Sequence, residues 1–357
     1  MGYLQELLTK AIKLGASDIH LVVGQPPLQR IHTVLEPAEG HEPLTAEQIE
    51  QFVKDMVGPK RFEQLIEKRD IDFSTKVPIM GPSLGRFRVN AHYQRETIAI
   101  AFRAISEMVP ELTTLNLPPV VERMVDLPRG LILVTGQTGS GKSTTLASMV
   151  DAMNKRFAYH VITVEDPIEY DLRSNKCIIE QRELGSDVPT FASGLRHALR
   201  QDPDIILVGE MRDLETTSAA ITAAETGHLV LSTLHTQNAA QTIERIIDIY
   251  PAEQQNQIRA MLSNTLQAVV SQALFKRIDR PGMVPACEVM ICTPAVRNCI
   301  RENRIHEIPN IIETSRAVGM CTLDESIKAL YFNGRISRQQ AISEATRPEV
   351  LSRALCA

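Results

Sequence analysis

The sequence predicts an α/β domain built on a parallel sheet, preceded by a smaller α+β domain. Three observations carry this expectation. Residues 136–144 read Gly-Gln-Thr-Gly-Ser-Gly-Lys-Ser-Thr directly after the apolar run 131–134. That is a phosphate-binding loop in its required strand–turn–helix context. Further apolar runs at 161–164, 205–208 and 229–231 alternate with helical stretches, the βα grammar of a parallel sheet. At 357 residues the chain exceeds one ordinary small core, so two domains are the default.

The first block opens with Leu4, Leu7, Leu8, Ile12 and Leu14 spaced as one face of a helix that Gly15 closes. Residues 18–23 read as a strand, broken by Gly24 and Pro26-Pro27. Thr45 as N-cap, with Gln48 at the capping-box position, predicts a helix to about Val57. Gly58-Pro59 stops it, and a second helix follows to about Lys68. From Phe73, and again through 85–105, the pattern alternates as strands do. Phe87, Val89 and Ala91 oppose Arg86, Arg88 and Asn90. Residues 1–108 are thus expected to form the α+β domain. Residues 109–120, punctuated by Val109-Pro110 and Leu117-Pro118-Pro119, read as a linker. The nucleotide-binding domain, with a C-terminal helical region, is expected over 121–357.

Composition narrows the function classes. The formal net charge is −5, from 38 Lys+Arg against 43 Asp+Glu, Trp is absent and aromatics make up 4%. Wholesale nucleic-acid binding is therefore disfavoured. The six cysteines, at 177, 287, 292, 299, 321 and 356, form no CxxC pair. Reduced thiols serving as small apolar packing groups are expected. Residues 1–14 lack a basic flank followed by a long apolar core, so no signal peptide is expected. No apolar stretch approaches spanning length, which leaves peripheral membrane association.

The polar residues after each apolar run carry the chemistry. Gly136, Gly139 and Gly141 let the backbone curl so that several N–H groups face one anion. Thr138, Ser140 and Thr144 complete the loop. Lys142 supplies a point charge for the β/γ-phosphates, and the Ser143 hydroxyl suits Mg²⁺. After the second run comes Glu165-Asp166-Pro167-Ile168-Glu169, after the third Gly209-Glu210-Met211-Arg212-Asp213, and after the fourth Ser232-Thr233-Leu234-His235-Thr236. Open parallel sheets bind ligands at the carboxyl ends of their strands, so all four ends can serve one cleft. Glu165 is the candidate to orient or deprotonate the attacking water. Glu210 ends a Walker-B-like strand, but Gly209 occupies the place where an Asp is usual. Ser143, phosphates and waters are then expected to hold Mg²⁺, with Glu210 acting through water. His235 can donate to the γ-phosphate, whereas His228 reads as a tether of the sheet. Arg196, Arg200, Arg212 and the first domain's Arg86, Arg88 and Arg103 form the positive complement, and Arg86 and Arg88 share one strand face. The alternatives are helix-start charges for the carboxylates, a structural role for either histidine, and solvated surface positions for single arginines.

Four boxes give a resemblance. GQTGSGKST (136–144), VITVEDPIEY (161–170), LRQDPDIILVGEMRD (199–213) and TGHLVLSTLHT (226–236) resemble the Walker A, Asp, Walker B and His boxes of the secretion-superfamily ATPases. AVRNCIRE (295–302) is similar to the signature of the type IV pilus retraction branch, as are GASDIHL (15–21), RFRVNAH (86–92) and GMCTLDESI (319–327). The resemblance implies a PAS-like N-terminal domain, a RecA-like ATPase domain and a homohexameric ring. ATP with Mg²⁺ would lie between domains, closed over by Arg86, Arg88 and Arg103. It implies Glu165 as catalytic base and Glu210 as a magnesium residue acting through water. The implied partners are an inner-membrane pilus platform protein, other pilus machinery and paralogous motor ATPases. The implied place is the cytoplasmic face of the inner membrane, with twitching motility as the outcome.

Departures from the family pattern are local. Gln137 stands where Pro is common, Cys299 where Leu is usual, and His32-Thr33 where an Asp-Gly turn is usual. The four-cysteine zinc insert of assembly and export ATPases is missing, which favours retraction. The rival readings are a pilus-assembly or type II secretion ATPase, an ATP-sensing subunit that does not hydrolyse, and a DNA-translocating RecA relative. Segment 295–302 also reads physically as a helix. Thr293 suits the N-cap and Pro294 the first turn. Val296 with Ile300, Arg297 with Arg301 and Asn298 with Glu302 form three stripes, either an ordinary amphipathic helix or a surface that transmits ATPase state to a partner.

Overall fold

The computed structural model describes residues 2–31, 34–78, 84–105 and 108–355, so His32-Thr33 and Cys356 lie outside the described residues. The chain divides into two compact units. One holds 1–108 with 169–171, and the other holds 109–168 with 172–357.

The first unit runs α1 (Gly2–Lys13), β1 (Asp18–Leu21), β2 (Leu28–Ile31), β3 (Val34–Pro37), α2 (Ala46–Lys68), β4 (Asp70–Pro78), β5 (Leu84–Gln94) and β6 (Thr97–Ile105). Its strands pair antiparallel in the order β3-β2-β1-β6-β5-β4. One sheet face packs on the helices: Leu4, Leu7 and Leu8 of α1 and Ile49 and Val53 of α2 meet Phe87, Val89 and Phe102. Leu14 differs from the sequence expectation. The helix ends at Lys13, leaving Leu14 exposed while Ala11 takes the buried place. The capping box forms as expected. Thr45 Oγ1 accepts from Gln48 N–H (3.3 Å), and Gln48 Oε1 accepts from Thr45 N–H (2.8 Å). Gly58 (φ 70°, ψ 175°) breaks α2, a left-handed conformation that needs no Cβ. The two expected helices thus meet at a sharp, non-helical break at Gly58, and α2 denotes both.

The second unit runs α3 (Pro119–Met124), β7 (Gly130–Thr135), α4 (Lys142–Arg156), β8 (His160–Glu165), β9 (Ile178–Glu183), α5 (Phe191–Ala198), β10 (Ile205–Val208), α6 (Leu214–Glu225), β11 (Leu229–Leu234), α7 (Ala239–Asp248), α8 (Gln255–Thr265), β12 (Leu266–Lys276), β13 (Met283–Ile291), α9 (Pro294–Arg301), α10 (Ile308–Thr314), α11 (Leu323–Phe332), α12 (Arg338–Ser343) and α13 (Pro348–Ala354). Its sheet has the order β13-β12-β7-β11-β10-β8-β9. Every neighbouring pair is parallel except β12 with β13. Helices cover the sheet, so every residue of β7, β10 and β11 is buried. That explains why these strands read as continuous apolar runs. Strands β9, β12 and β13 were not anticipated. Helices α11 to α13 pack Ile327, Leu330, Ala341 and Leu351 on Phe275, Val284 and Ala286 of the β12–β13 hairpin. Cys287, Cys292 and Cys299 are buried. Burial lifts the first two thiols to about 12 and about 11, which keeps them protonated packing groups.

Candidate functional site

Strand β7 delivers the chain into the glycine loop and then α4. Gly136 has φ 138°, and a Cβ there would meet Gln272 O at 2.3 Å and Ser140 Oγ at 2.6 Å. Only glycine fits, because the loop crosses directly over the β12 backbone. Gly139 and Gly141 adopt φ 81° and 89°, and Gly141 is the N-cap of α4. Lys142 is buried, and its Nζ donates to Gly136 O (2.8 Å) and Gln137 O (3.0 Å). The ammonium is thus held at the loop that would cradle phosphate. Thr138 is exposed, Ser140 buried, and Ser143 and Thr144 half-buried in the first turn of α4.

The carboxylates leave the neighbouring strands. Half-buried Glu165 ends β8, and its Oε1 accepts from Thr163 Oγ1 (2.7 Å) and Gln181 Nε2 (3.0 Å). Two donors fix that oxygen. Glu210 follows β10: Oε1 lies 2.6 Å from Arg212 Nε, and Oε2 lies 3.4 Å from His235 Nε2. The Walker B glutamate and the His-box histidine are therefore in contact. Gly209 donates to Val164 O at 2.8 Å. A Cβ on it would crowd that same oxygen at 3.3 Å and Glu165 Cα at 3.4 Å. Close approach of two strand ends accounts for glycine where Asp is usual. Thr233 Oγ1 donates to Gly209 O (2.6 Å) and Met211 N–H to Thr233 O (3.2 Å), stitching the ends of β10 and β11 together.

Because β7, β11, β10 and β8 are consecutive and parallel, the loop, His235, Glu210 and Glu165 all leave one edge of the sheet. His228 enters β11 at the opposite end. Its Nδ1 lies 2.9 Å from Ala223 O and 3.2 Å from Thr226 Oγ1, the tether expected of it.

The arginines divide differently. Arg86 is buried and donates to Ser74 Oγ at 3.3 Å, Arg88 is exposed, and Arg103 Nε donates to Asp18 Oδ1 at 2.8 Å. Arg88 faces Arg103 across β5–β6, Arg103 faces Asp18, and Asp18 faces Arg30. One register row of the first unit thus carries three arginines around one carboxylate. In the second unit, Arg196 lies 3.6 Å from Glu215, Arg212 sits on Glu210, and Arg200 is exposed. On α9, Val296 and Ile300 are buried, whereas Arg297 Nη1 donates to Asn264 O at 2.9 Å and to Ser263 O. The first arginine of the basic stripe therefore caps the C-terminus of α8 instead of reaching outward.

Among the described residues no group of three or more His, Cys, Asp or Glu is gathered around a metal position. A lone Ser143 hydroxyl in the first turn of α4 suits an ion that takes most of its ligands from phosphate and water, as Mg²⁺ does.

A family model described as type II/IV secretion system protein matches residues 86–347. The chain belongs to that family. It is 47% identical over 344 residues to the type IV pilus retraction ATPase PilT of Pseudomonas aeruginosa, covering 96% of this chain and 98% of that one. Its identity to the twitching motility protein of Neisseria gonorrhoeae is 43% over 326 residues, covering 91% and 86%. A crystal structure of the pilus retraction motor PilT with bound ADP superposes with a TM-score of 0.90 at 43% identity, over 98% of each chain. As a member of this family the chain binds nucleotide and hydrolyses ATP. Its architecture is a RecA-like P-loop domain with a smaller N-terminal α+β domain of the PAS-like kind.

Sequence reasoning missed Thr163, Gln181, Ser271 and Gln272, the neutral groups that hold the site. Thr163 alone had a signal, since it shares a strand with Glu165 at a spacing of two.

Proposed function

We propose that this chain is a homohexameric ATP-driven motor of type IV pilus retraction, acting on pilus disassembly at the cytoplasmic face of the inner membrane. The observation that carries the chemistry is the meeting of four polar strand ends at one sheet edge, with Glu210 touching His235. The backbone of 136–141 and Lys142 hold the β- and γ-phosphates, with Thr138, Ser140 and Thr144 completing the cradle. Glu165, held by Thr163 and Gln181, takes a proton from the attacking water as its oxygen bonds to the γ-phosphorus. The bond to the β-phosphate oxygen breaks, leaving ADP and phosphate. Ser143 would hold Mg²⁺, which would supply positive charge to the phosphates, and Glu210 would act on it through water. His235 donates to the γ-phosphate. Arg86, Arg88 and Arg103 add positive charge to the triphosphate.

The ring converts hydrolysis to force, with the pilus platform protein and associated pilus machinery as partners and paralogous motor ATPases as further ones. Among the described residues no helix is long and apolar enough to cross a membrane. The test is ATPase rate and particle size measured together across protein concentration. A shared rise is expected, whereas full turnover by a monomer would overturn the ring. Deleting the gene should leave cells with retained, non-retracting pili. Loss of pili would make the chain an assembly ATPase, and dependence of turnover on added DNA would make it a translocase.

A further inference from the structure

Two adjacent rungs of the β12–β13 hairpin reach three parts of the site. Ser271 pairs with Glu288, and Gln272 pairs with Cys287. On β12, Ser271 Oγ lies 2.8 Å from Thr135 Oγ1, the last residue of β7 before the glycine loop. Gln272 Nε2 donates to Thr145 Oγ1 in the first turn of α4 at 2.9 Å. On β13, Glu288 Oε1 accepts from Ala239 N–H at 2.8 Å. Ala239 is the first residue of α7, just beyond the His box, and Asn238 before it caps the helix by accepting from Gln241 N–H at 2.9 Å.

The Glu288 contact is unusual for its setting. Burial pushes its carboxyl above the ordinary range, the Ala239 N–H offsets only part of this, and Asp324 of α11 adds to it. A half-buried carboxyl held against one backbone N–H is an unusual way to pack a strand, since an apolar side chain would fill the space with less desolvation cost. The geometry returns something specific for it. The His-box segment is fixed at one end by the parallel β11 pairing and at the other by Glu288. Residues 235–238 between these anchors carry His235. The same strand is joined to α11 by Ser326 Oγ, which accepts from Cys287 N–H at 3.0 Å.

We propose that Glu288 is a positioning residue for His235. It anchors the start of α7 so that the imidazole stands at Glu210 and the γ-phosphate, while Ser271 and Gln272 hold the glycine loop from the partner strand. This rests on the reading that His235 acts on the γ-phosphate. The test is steady-state ATP hydrolysis by the full-length ring for Glu288→Ala, Glu288→Gln, His235→Ala and the His235→Ala/Glu288→Ala double variant. Glu288→Ala should lower kcat about tenfold with KM for ATP unchanged, because the phosphate loop is not touched. Glu288→Gln keeps an acceptor oxygen in the same place and should recover most of that loss. In the His235→Ala background, Glu288→Ala should add nothing. Equal losses for Gln and Ala, a parallel rise in KM, or full additivity with His235→Ala would each overturn the positioning role. Should Glu288→Ala fail to fold, Ala239→Pro removes the donor instead. Proline suits a first helical turn, and Asn238 already has extended backbone (φ −148°, ψ 169°). Ala239→Pro should reproduce the kcat loss, and wild-type kcat in that variant would refute the anchor. If His235→Ala itself retains full turnover, the γ-phosphate reading fails first, and that result is distinct from any Glu288 outcome.

Discussion

The strand-end cluster of the second unit and the arginine-bearing sheet face of the first place charge by different rules. In the second unit, β7, β8, β10 and β11 are buried among helices, so the charged residue or glycine loop at or just past each apolar run marks the end of its strand. Each functional group there is then held by a dedicated partner, Glu165 by Thr163 and Gln181, and Glu210 by Arg212 and His235. In the first unit an antiparallel sheet covers its helices with one face only. The opposite face is polar at every second residue by default. Arg86, Arg88 and Arg103 belong to that alternation whether or not they meet a phosphate, and Arg103 is already engaged by Asp18. Charge at a buried strand end therefore signals chemistry far more sharply than charge on a one-sided sheet.

The largest effects should come from the strand-end cluster. Lys142→Ala should abolish productive nucleotide binding and lower turnover by two orders of magnitude or more, on the order of other losses of a charge-stabilising donor. Fluorescent-nucleotide titration alongside a phosphate-release assay would check both. Glu165→Gln should leave nucleotide affinity unchanged while turnover falls by about 10² to 10⁴, the range for a lost general base. Normal turnover in that variant would move the base elsewhere and weaken the contrast between the two regions.

The same contrast explains what the sequence could disclose. The glycine loop, Glu165, Glu210 and His235 were legible because each follows a buried apolar run at once or within a few residues. The kink of α2 was legible because Gly58-Pro59 punctuates it. Strand β12 was not, since α8 ends at Thr265 and the strand begins at Leu266 with neither glycine nor proline between them. Strand β9, IIEQRE, is a half-polar edge strand that lacks the apolar run by which its neighbours were found. Glu288 lies on β13 and was missed with it. Its partner is a backbone N–H contributed by residue 239, which no local pattern marks. The role of Arg297 was likewise hidden, because capping α8 is a tertiary contact and helical stripes record only spacing.

An intermediate effect would sharpen the comparison on the arginine side. Arg88→Ala should reduce turnover by about tenfold or more if that exposed side chain meets the triphosphate. Arg103→Ala should cost less, because Asp18 holds its guanidinium. Mixing Arg88→Ala subunits with Lys142→Ala subunits should partly restore ATPase activity when the arginine acts on a neighbouring copy. No recovery at any ratio would return Arg88 to the solvated face.

The smallest expected effect is a pH response confined to the first unit. Burial pushes the Asp18 carboxyl up, but hydrogen bonds from Arg103 and Ser17, with the charges of Arg103 and His20, outweigh it, and Asp18 titrates below its ordinary value. His20 is also held below its ordinary value, first by burial and then by Arg30, Arg103 and His92, against the pull of Asp18. For both groups the unfolded chain binds protons more readily than the folded one, so the stability they contribute is lost as pH falls. His20's share is complete above about pH 6.5 and fades on acidification below it, and Asp18's share fades only below about pH 4. Amide exchange of β1 and β6 in the full-length chain should therefore accelerate modestly between pH 6.5 and 5, relative to the pH-corrected intrinsic rates. His20→Asn should remove that step and leave the one below pH 4. Slower corrected exchange on acidification would mean that Asp18 attracts protonated His20 more strongly than the surrounding arginines repel it. The register row would then be a balanced ion cluster and not a net positive surface.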